Sequence, residues 1–313
     1  MARVNMRIGT VALWALAASL ATGVSAARAG KPGDAGLLFL RMPVGARESA
    51  MGGAGVAAPT GAAAVWWNPA RLALAGGGTD LLLQHQRLYG LFSNENACLA
   101  HRAAGGVIGV QFSGFYADEI DRYEEDTVGV PQGTFKPYDV AFGVSYARQV
   151  ADRVAVGATV KVLYEKIDIY SDTGFAADLF VSHEAVIEGL VLGASVTNLG
   201  GQLNLNAEPF DLPTAVRLGA AYDPSHPFLR GKVTLAGDIF MPNDGNAKAH
   251  IGAEYRVVPE FALRVGSRVN YDNQGLTAGL GLRKGTIEVG YAFEESKVVG
   301  FDDLHKFSLE LHY

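Results

Sequence analysis

The residues of this 313-residue chain that could do chemistry are few and scattered. Its seven histidines have no metal-ligand spacing. The sequence contains no Gly-x-Ser-x-Gly, no His-Glu-x-x-His and no phosphate-binding glycine loop. Nucleophilic catalysis by serine needs a base and an orienting group converging on it. Ser182 precedes His183 and Ser225 precedes His226, but neighbours in a strand point to opposite faces. No enzyme, metal or cofactor is expected. Residues 116–126 (YADEIDRYEED) gather carboxylates that could take Ca²⁺ or Mg²⁺, or bridge to lipopolysaccharide, but without EF-hand spacing they read as a solvated loop. Cys98, the single cysteine, excludes an intramolecular disulfide and reads as a small packed side chain. More regular are the charges Lys161, Glu165, Arg217, Asp238, Glu254, Arg256, Arg264, Arg268, Arg283, Glu288 and Glu310. Each falls on the polar side of an alternating segment. They would either pair with one another or steer an anionic headgroup by their field. Pairing is the simpler reading.

The segments that carry those charges alternate with period two. Tyr138, Val140, Phe142, Val144 and Tyr146 share one face, and Asp139, Ala141, Gly143, Ser145 and Ala147 the other. Val156, Ala158, Val160, Val162 and Tyr164 oppose Gly157, Thr159, Lys161 and Glu165 in the same way. The pattern recurs to the C-terminus, where Phe307, Leu309, Leu311 and Tyr313 oppose Ser308, Glu310 and His312. About fourteen strands follow, near 79–88, 94–102, 106–116, 137–149, 153–167, 174–183, 189–197, 213–223, 231–240, 247–257, 260–271, 275–284, 285–293 and 305–313. The first two are the least regular, since Leu81, Leu82 and Leu83 do not alternate. A soluble sandwich also alternates, but its outer face is densely charged. Here the polar face is rich in Gly, Ala, Ser and Thr, and the aromatics gather near segment ends, the signature of an outer-membrane barrel.

The chain's beginning fits export. Arg3 and Arg7 precede the apolar run 8–24, and Ala27-Arg28-Ala29 satisfies the small-x-small rule, so residues 1–29 read as a cleaved signal peptide. No other run approaches the ~20 apolar residues of a spanning helix, so a chain crossing lipid would have to close its sheet. The mild net charge of −6 gives no sign of nucleic acid. The expectation is one all-β domain, a transmembrane antiparallel up-and-down β-barrel over residues 79–313, in the bacterial outer membrane.

Its ordered motifs carry a resemblance. They are Gly45-Ala46-Arg47, Met51-Gly52-Gly53-Ala54-Gly55, Trp67-Asn68-Pro69-Ala70, residues 139–148 (DVAFGVSYAR), 157–167 (GATVKVLYEKI) and 174–179 (GFAADL), followed by Thr197-Asn198-Leu199-Gly200, Leu212-Pro213, Arg217-Leu218-Gly219 and Gly252-Ala253-Glu254-Tyr255. In their order and spacing the chain resembles the PorV/PorQ group of outer-membrane proteins, within the wider FadL-like barrels. The resemblance implies fourteen strands and an N-terminal plug carrying the Asn-Pro-Ala. FadL-like proteins pass hydrophobic small molecules by diffusion, whereas PorV-type members serve type IX secretion and meet secreted proteins.

The stretch 51–73 (MGGAGVAAPTGAAAVWWNPARLA) then acquires a place. It is too apolar for a solvated linker, and its Gly and Ala suit close approach to an inner wall. Residues 30–78 are expected to form the plug, with Met51, Gly52, Gly53, Trp66, Trp67, Asn68, Pro69 and Ala70 as its motif and the indole N–H groups seeking lumenal acceptors. The longest loops, 117–136 and 200–212, carry too few apolar residues for a fatty-acid groove. The expected function is passive transport of small hydrophobic molecules by a monomer; the alternatives are a secretion component that binds proteins and a purely structural barrel. Partners would be outer-membrane lipid and lipopolysaccharide.

Overall fold

A computed structural model describes residues 33–123, 129–224 and 231–313; the expected signal peptide lies outside them. Three short helices come first, α1 (Ala46–Ala50), α2 (Ala64–Trp67) and α3 (Pro69–Ala75). The strands are β1 (Thr79–Leu88), β2 (Phe92–Ala103), β3 (Gly106–Ala117), β4 (Tyr138–Ala151), β5 (Val154–Ile167), β6 (Tyr170–Glu184) and β7 (Leu190–Gly200). Then come β8 (Ala215–Tyr222), β9 (Lys232–Pro242), β10 (Lys248–Val258), β11 (Phe261–Val269), β12 (Gln274–Lys284), β13 (Ile287–Ser296) and β14 (Leu304–His312).

Each strand pairs antiparallel with the next, and β14 returns to β1 (Leu81 opposite Leu311, His85 opposite Phe307), closing a fourteen-stranded barrel. Closure leaves no free sheet edge, so every strand's backbone groups find a partner. One end of the barrel has tight turns. Ala104 and Gly105 both take positive φ there, as a two-residue hairpin turn requires. The other end carries the long connections 118–137 and 201–214, each with a small two-stranded ribbon.

Burial in this barrel is inverted relative to a soluble protein. Phe142, Val144, Val160, Phe175, Leu282 and Phe307 point outward and are exposed. Lys161, Asp178, Arg264, Arg268, Glu294 and Lys306 point inward and are buried. The two faces of each strand are therefore sorted as the alternation predicts. The irregular Leu81–Leu82–Leu83 run also has a cause. Leu82 faces inward but is fully buried against apolar residues of the N-terminal segment, so the Leu81–Leu83 run of β1 is apolar on both faces.

Candidate functional site

The lumen is the candidate site, and it is filled. Residues 35–36 start at the long-loop end, where the Gly36 N–H donates to the Asp211 carbonyl at 3.1 Å. The chain then crosses the lumen and joins β1 at the tight-turn end, where the Thr79 N–H donates to Tyr313 at 3.0 Å. Asn68 and Pro69 start α3, with proline at its first turn where no N–H is needed.

Glycines in the wall let this segment lie close. A Cβ on Gly252 or Gly266 would collide with the backbone of Met51 and Gly52, and one on Gly193 with Val56. Against β1–β6 the contact is apolar: Val65, Trp67, Ala70 and Leu72 pack with Leu82, Cys98, Val107, Ala147 and Phe180. The Trp67 indole donates to the Val44 carbonyl at 2.7 Å, so its acceptor is the segment itself rather than the wall. Trp66 is only half-buried. Asn68 donates to the Val56 and Val181 carbonyls at 2.8 and 3.0 Å.

Against β9–β14 the contact is mainly polar, although Met51, Ala54 and Ala57 cluster with Ala236, and Ala46 and Ala50 with Ala292. Asp238 accepts the Gly55 and Val56 N–H groups at 2.8 and 3.0 Å and pairs with Arg217 at 3.3 Å. The Arg217 guanidinium lies between the Trp67 and Phe240 rings, 5.1 and 4.6 Å from their centroids, a cation–π sandwich. Arg47 reaches Glu254 at 3.1 Å, and Arg264 bridges Glu254 and Glu288 at 2.6 and 2.7 Å. Arg268 and Lys306 share Glu294 at 2.9 and 3.3 Å, while Lys306 also donates to Ser49 and to the Pro43 carbonyl, both at 2.6 Å. His250 meets the Gly52 carbonyl at 2.7 Å. Burial alone would pull the Arg47 guanidinium down, but Glu254 and Glu48 hold it above its ordinary value. Burial pushes the Glu48 carboxyl up, against the pull of Arg47.

The expected lumen-lining charges thus fall into three places. Lys161, Arg217, Asp238, Glu254, Arg264, Arg268 and Glu288 are buried and ion-paired. Glu165 is buried near the long-loop end without an acidic-basic pair among the described residues. Arg256 and Arg283, with Glu310, line a polar cavity of about 440 Å³ at the tight-turn end, beside Asp80 and His312.

The long-loop end is different in kind. Leu37, Phe39 and Leu40 cluster there with Ala141, Leu163 and Ala176 of the wall and with Leu203 and Leu212 of loop 201–214; Phe115 and Phe210 pack beside them. The loop contributes only Leu203, Phe210 and Leu212 to this cluster. Its apolar residues are few, but the ribbon Leu203–Leu205/Glu208–Phe210 turns them over the mouth, where the N-terminal segment supplies the rest.

Just below, the pairing of β6 with β7 slips a register near Asp178. Asn198, at a positive φ of 60°, donates its N–H to Asp178 at 2.7 Å and its side-chain amide to the Pro213 carbonyl at 3.0 Å. Lys161 pairs with Asp178 at 2.8 Å and also donates to Asn198. Sequence reasoning missed Asp178, Asn198 and His250. The Asn within Thr197-Asn198-Leu199-Gly200 was the available signal, since Asn tolerates the left-handed region.

The other sequence candidates fall elsewhere. Ser182 points inward and is buried, while His183 on the opposite face is half-buried. Ser225 and His226 lie outside the described residues, as do Glu124, Glu125 and Asp126 of the acidic stretch. Within that stretch Asp118 pairs with Arg87, and Glu119 accepts from Thr134. Cys98 is buried in the apolar cluster.

No family model and no curated protein matches the chain. Solved structures do match in fold. The toluene transporter TbuX of Ralstonia pickettii aligns with TM-score 0.65 at 16% identity, over 86% of this chain and 98% of that one. The toluene transporter TodX of Pseudomonas putida gives 0.61 at 14% identity, over 85% and 96%. The monoaromatic hydrocarbon channel CymD gives 0.62 at 14% identity, over 89% and 99%. At these identities the likeness is one of fold alone.

Proposed function

We propose that this barrel sits in the bacterial outer membrane and passively passes small hydrophobic molecules, with residues 30–78 as its plug. The observation that carries the reading is the apolar cluster at the long-loop mouth. A barrel lumen is ordinarily polar, and in this one the large apolar side chains gather at that mouth and along the plug's packing against β1–β6, with only smaller alanine-rich contacts elsewhere. An apolar ligand arriving from outside would seat against Phe39, Leu40, Leu203 and Leu212, displace part of the plug, and leave through the lumen or sideways through the wall. The outward apolar face supports the membrane placement, and the fold shared with hydrocarbon channels supports the ligand class.

The test is uptake of a small aromatic hydrocarbon into proteoliposomes. Uptake above protein-free vesicles is expected, and Leu203→Asp should abolish it while the folded barrel persists on a heat-shift gel. Equal uptake with and without protein would overturn the reading. Trp67→Ala should loosen the plug and raise leakage of small polar solutes, as read by liposome swelling; unchanged swelling would deny Trp67 an anchoring role.

A second reading, a PorV/PorQ-type component of a secretion system, is favoured by loop 118–137. That loop holds Ile120, Tyr123 and Val130 exposed beyond the barrel. Co-purification of secreted proteins or partner barrels, lost in a variant with these three changed to Ser, would support it.

A further inference from the structure

Among the described residues the barrel's outward apolar face sinks into two recesses, over β8–β12 and over β5–β8, and only the second has a charged residue at its edge. Along β4–β14 most outward side chains stand clear, with Val160, Phe175 and Ile239 at 66%, 69% and 53% exposure. Ala194 and Val196 on β7 and Val216 on β8 also point outward, since Gly193 and Ser195 between them face the lumen. Yet they are only 5%, 7% and 2% exposed. They form the floor of a recess of about 440 Å³, walled by Val156 and Leu179 and almost wholly apolar. That volume is within the ~300–1,000 Å³ of ordinary ligand sites.

One edge of the recess is charged. Arg148 on β4 follows the inward Ala147 and so faces outward, three residues before the strand ends at the tight turn. Every other described arginine has a carboxylate or a carbonyl partner. Among the described residues Arg148 alone has neither. Tyr146, two residues along on the same face, donates its hydroxyl to the Ala104 carbonyl at the turn. An outward Tyr and Arg near the end of a spanning strand mark the depth of lipid headgroups.

We propose that this recess binds one anionic glycerophospholipid of the leaflet at the tight-turn side, an acyl chain lying over Ala194, Val196 and Val216 and the phosphate meeting Arg148. The assignment rests on the membrane placement proposed above and not on transport. The recess gives a use to the sunken outward residues Ala194, Val196 and Val216. It also gives Arg148 the charge partner that the protein does not provide.

The experiment reconstitutes the full chain into vesicles of equal phosphatidylglycerol and phosphatidylcholine, extracts it into mild detergent, and counts retained lipid by native mass spectrometry. One retained phosphatidylglycerol is expected, preferred about fivefold, the scale of one basic residue's pull on anionic lipid. Arg148→Gln should remove the preference and leave the two lipids equal. Ala194→Phe should fill the floor and abolish retention of both, with an unchanged heat-shift gel showing that the barrel is folded. Equal retention of the two lipids by the parent protein, or an Ala194→Phe variant that retains lipid as the parent does, would overturn the site. A chain that fails to float with the vesicles would instead overturn the membrane placement itself.

Discussion

Against β1–β6 the N-terminal segment turns Val65, Trp67, Ala70 and Leu72; against β9–β14 it turns Arg47, Ser49 and the backbone N–H groups of Gly55 and Val56. One wall holds it mainly by packing, with Gln84, the Val181 carbonyl and Glu184 among its polar contacts. The other holds it mainly by buried charge, with small apolar contacts at Ala236 and Ala292. The two grips differ in what they demand. Apolar burial is non-directional and roughly proportional to area, so it tolerates small slides and volume-conserving changes. Buried ion pairs fix a register, because an unpaired charge in a dry site is far costlier than a slightly misplaced methyl. A segment held this way has a fixed edge and an adaptable edge. The mouth cluster at Phe39 and Leu40 is continuous with the wall of β4–β6, on the adaptable side.

The sharpest way to break this comparison is Asp238→Ala. It takes the carboxylate from Arg217, which keeps the Gly53 carbonyl, and the acceptor from two buried N–H groups, and should cost about 4 kcal/mol. Denaturant unfolding in detergent should read that loss, accompanied by trypsin cleavage within residues 33–78. A loss of under about 1 kcal/mol would show that the polar wall is as forgiving as the apolar one. Next, Leu82→Ala should cost about 3 kcal/mol through the cavity it opens, while Leu82→Met should cost less than about 1.5 kcal/mol because volume is kept. Asp238→Asn, which also keeps volume, should not be similarly mild; equal penalties for the two conservative changes would erase the distinction.

A smaller effect is expected at Glu48, whose carboxyl burial pushes above its ordinary 4.5. A raised folded value means that the contribution of this group is complete below pH 4.5 and is lost as pH climbs through the raised value. Glu48→Gln should therefore flatten the decline of stability with rising pH in that window, measured by thermal unfolding across a pH series. A decline as steep as the parent's would place the titration elsewhere. Smallest of all, Arg87→Ala removes an exposed pair with Asp118 at the rim, and should leave stability unchanged at any salt concentration.

Much of the architecture was legible because a barrel wall is repetitive. Each strand has only two faces, and a period of two assigns them residue by residue, as Tyr138–Ala147 illustrates. Strand ends were less so. Tyr170–Thr173 and Glu294–Ser296 continue their strands past the clean alternation, since pairing extends beyond the apolar band. The inward positions of Lys161, Arg264 and Glu288 followed from phase alone. Their partners did not, because which carboxylate meets Arg264 depends on stagger between strands that no single segment records. The slip at Asn198 and the folding of Leu203 over the mouth were equally hidden, each being set by a contact distant in sequence.

The path of the chain has a consequence for how the molecule is made. The segment runs the length of the lumen and continues without a break into β1, whose other neighbour is the last strand, β14. The seam between them joins residues more than two hundred positions apart, as Asp80 and His312 show. Contacts so distant are the slowest to form, since the intervening chain must be ordered first. Residues 33–78 precede both strands of that seam in the chain, so they are made before it can zip. Their charged edge, facing β9–β14, is met by the strands made last.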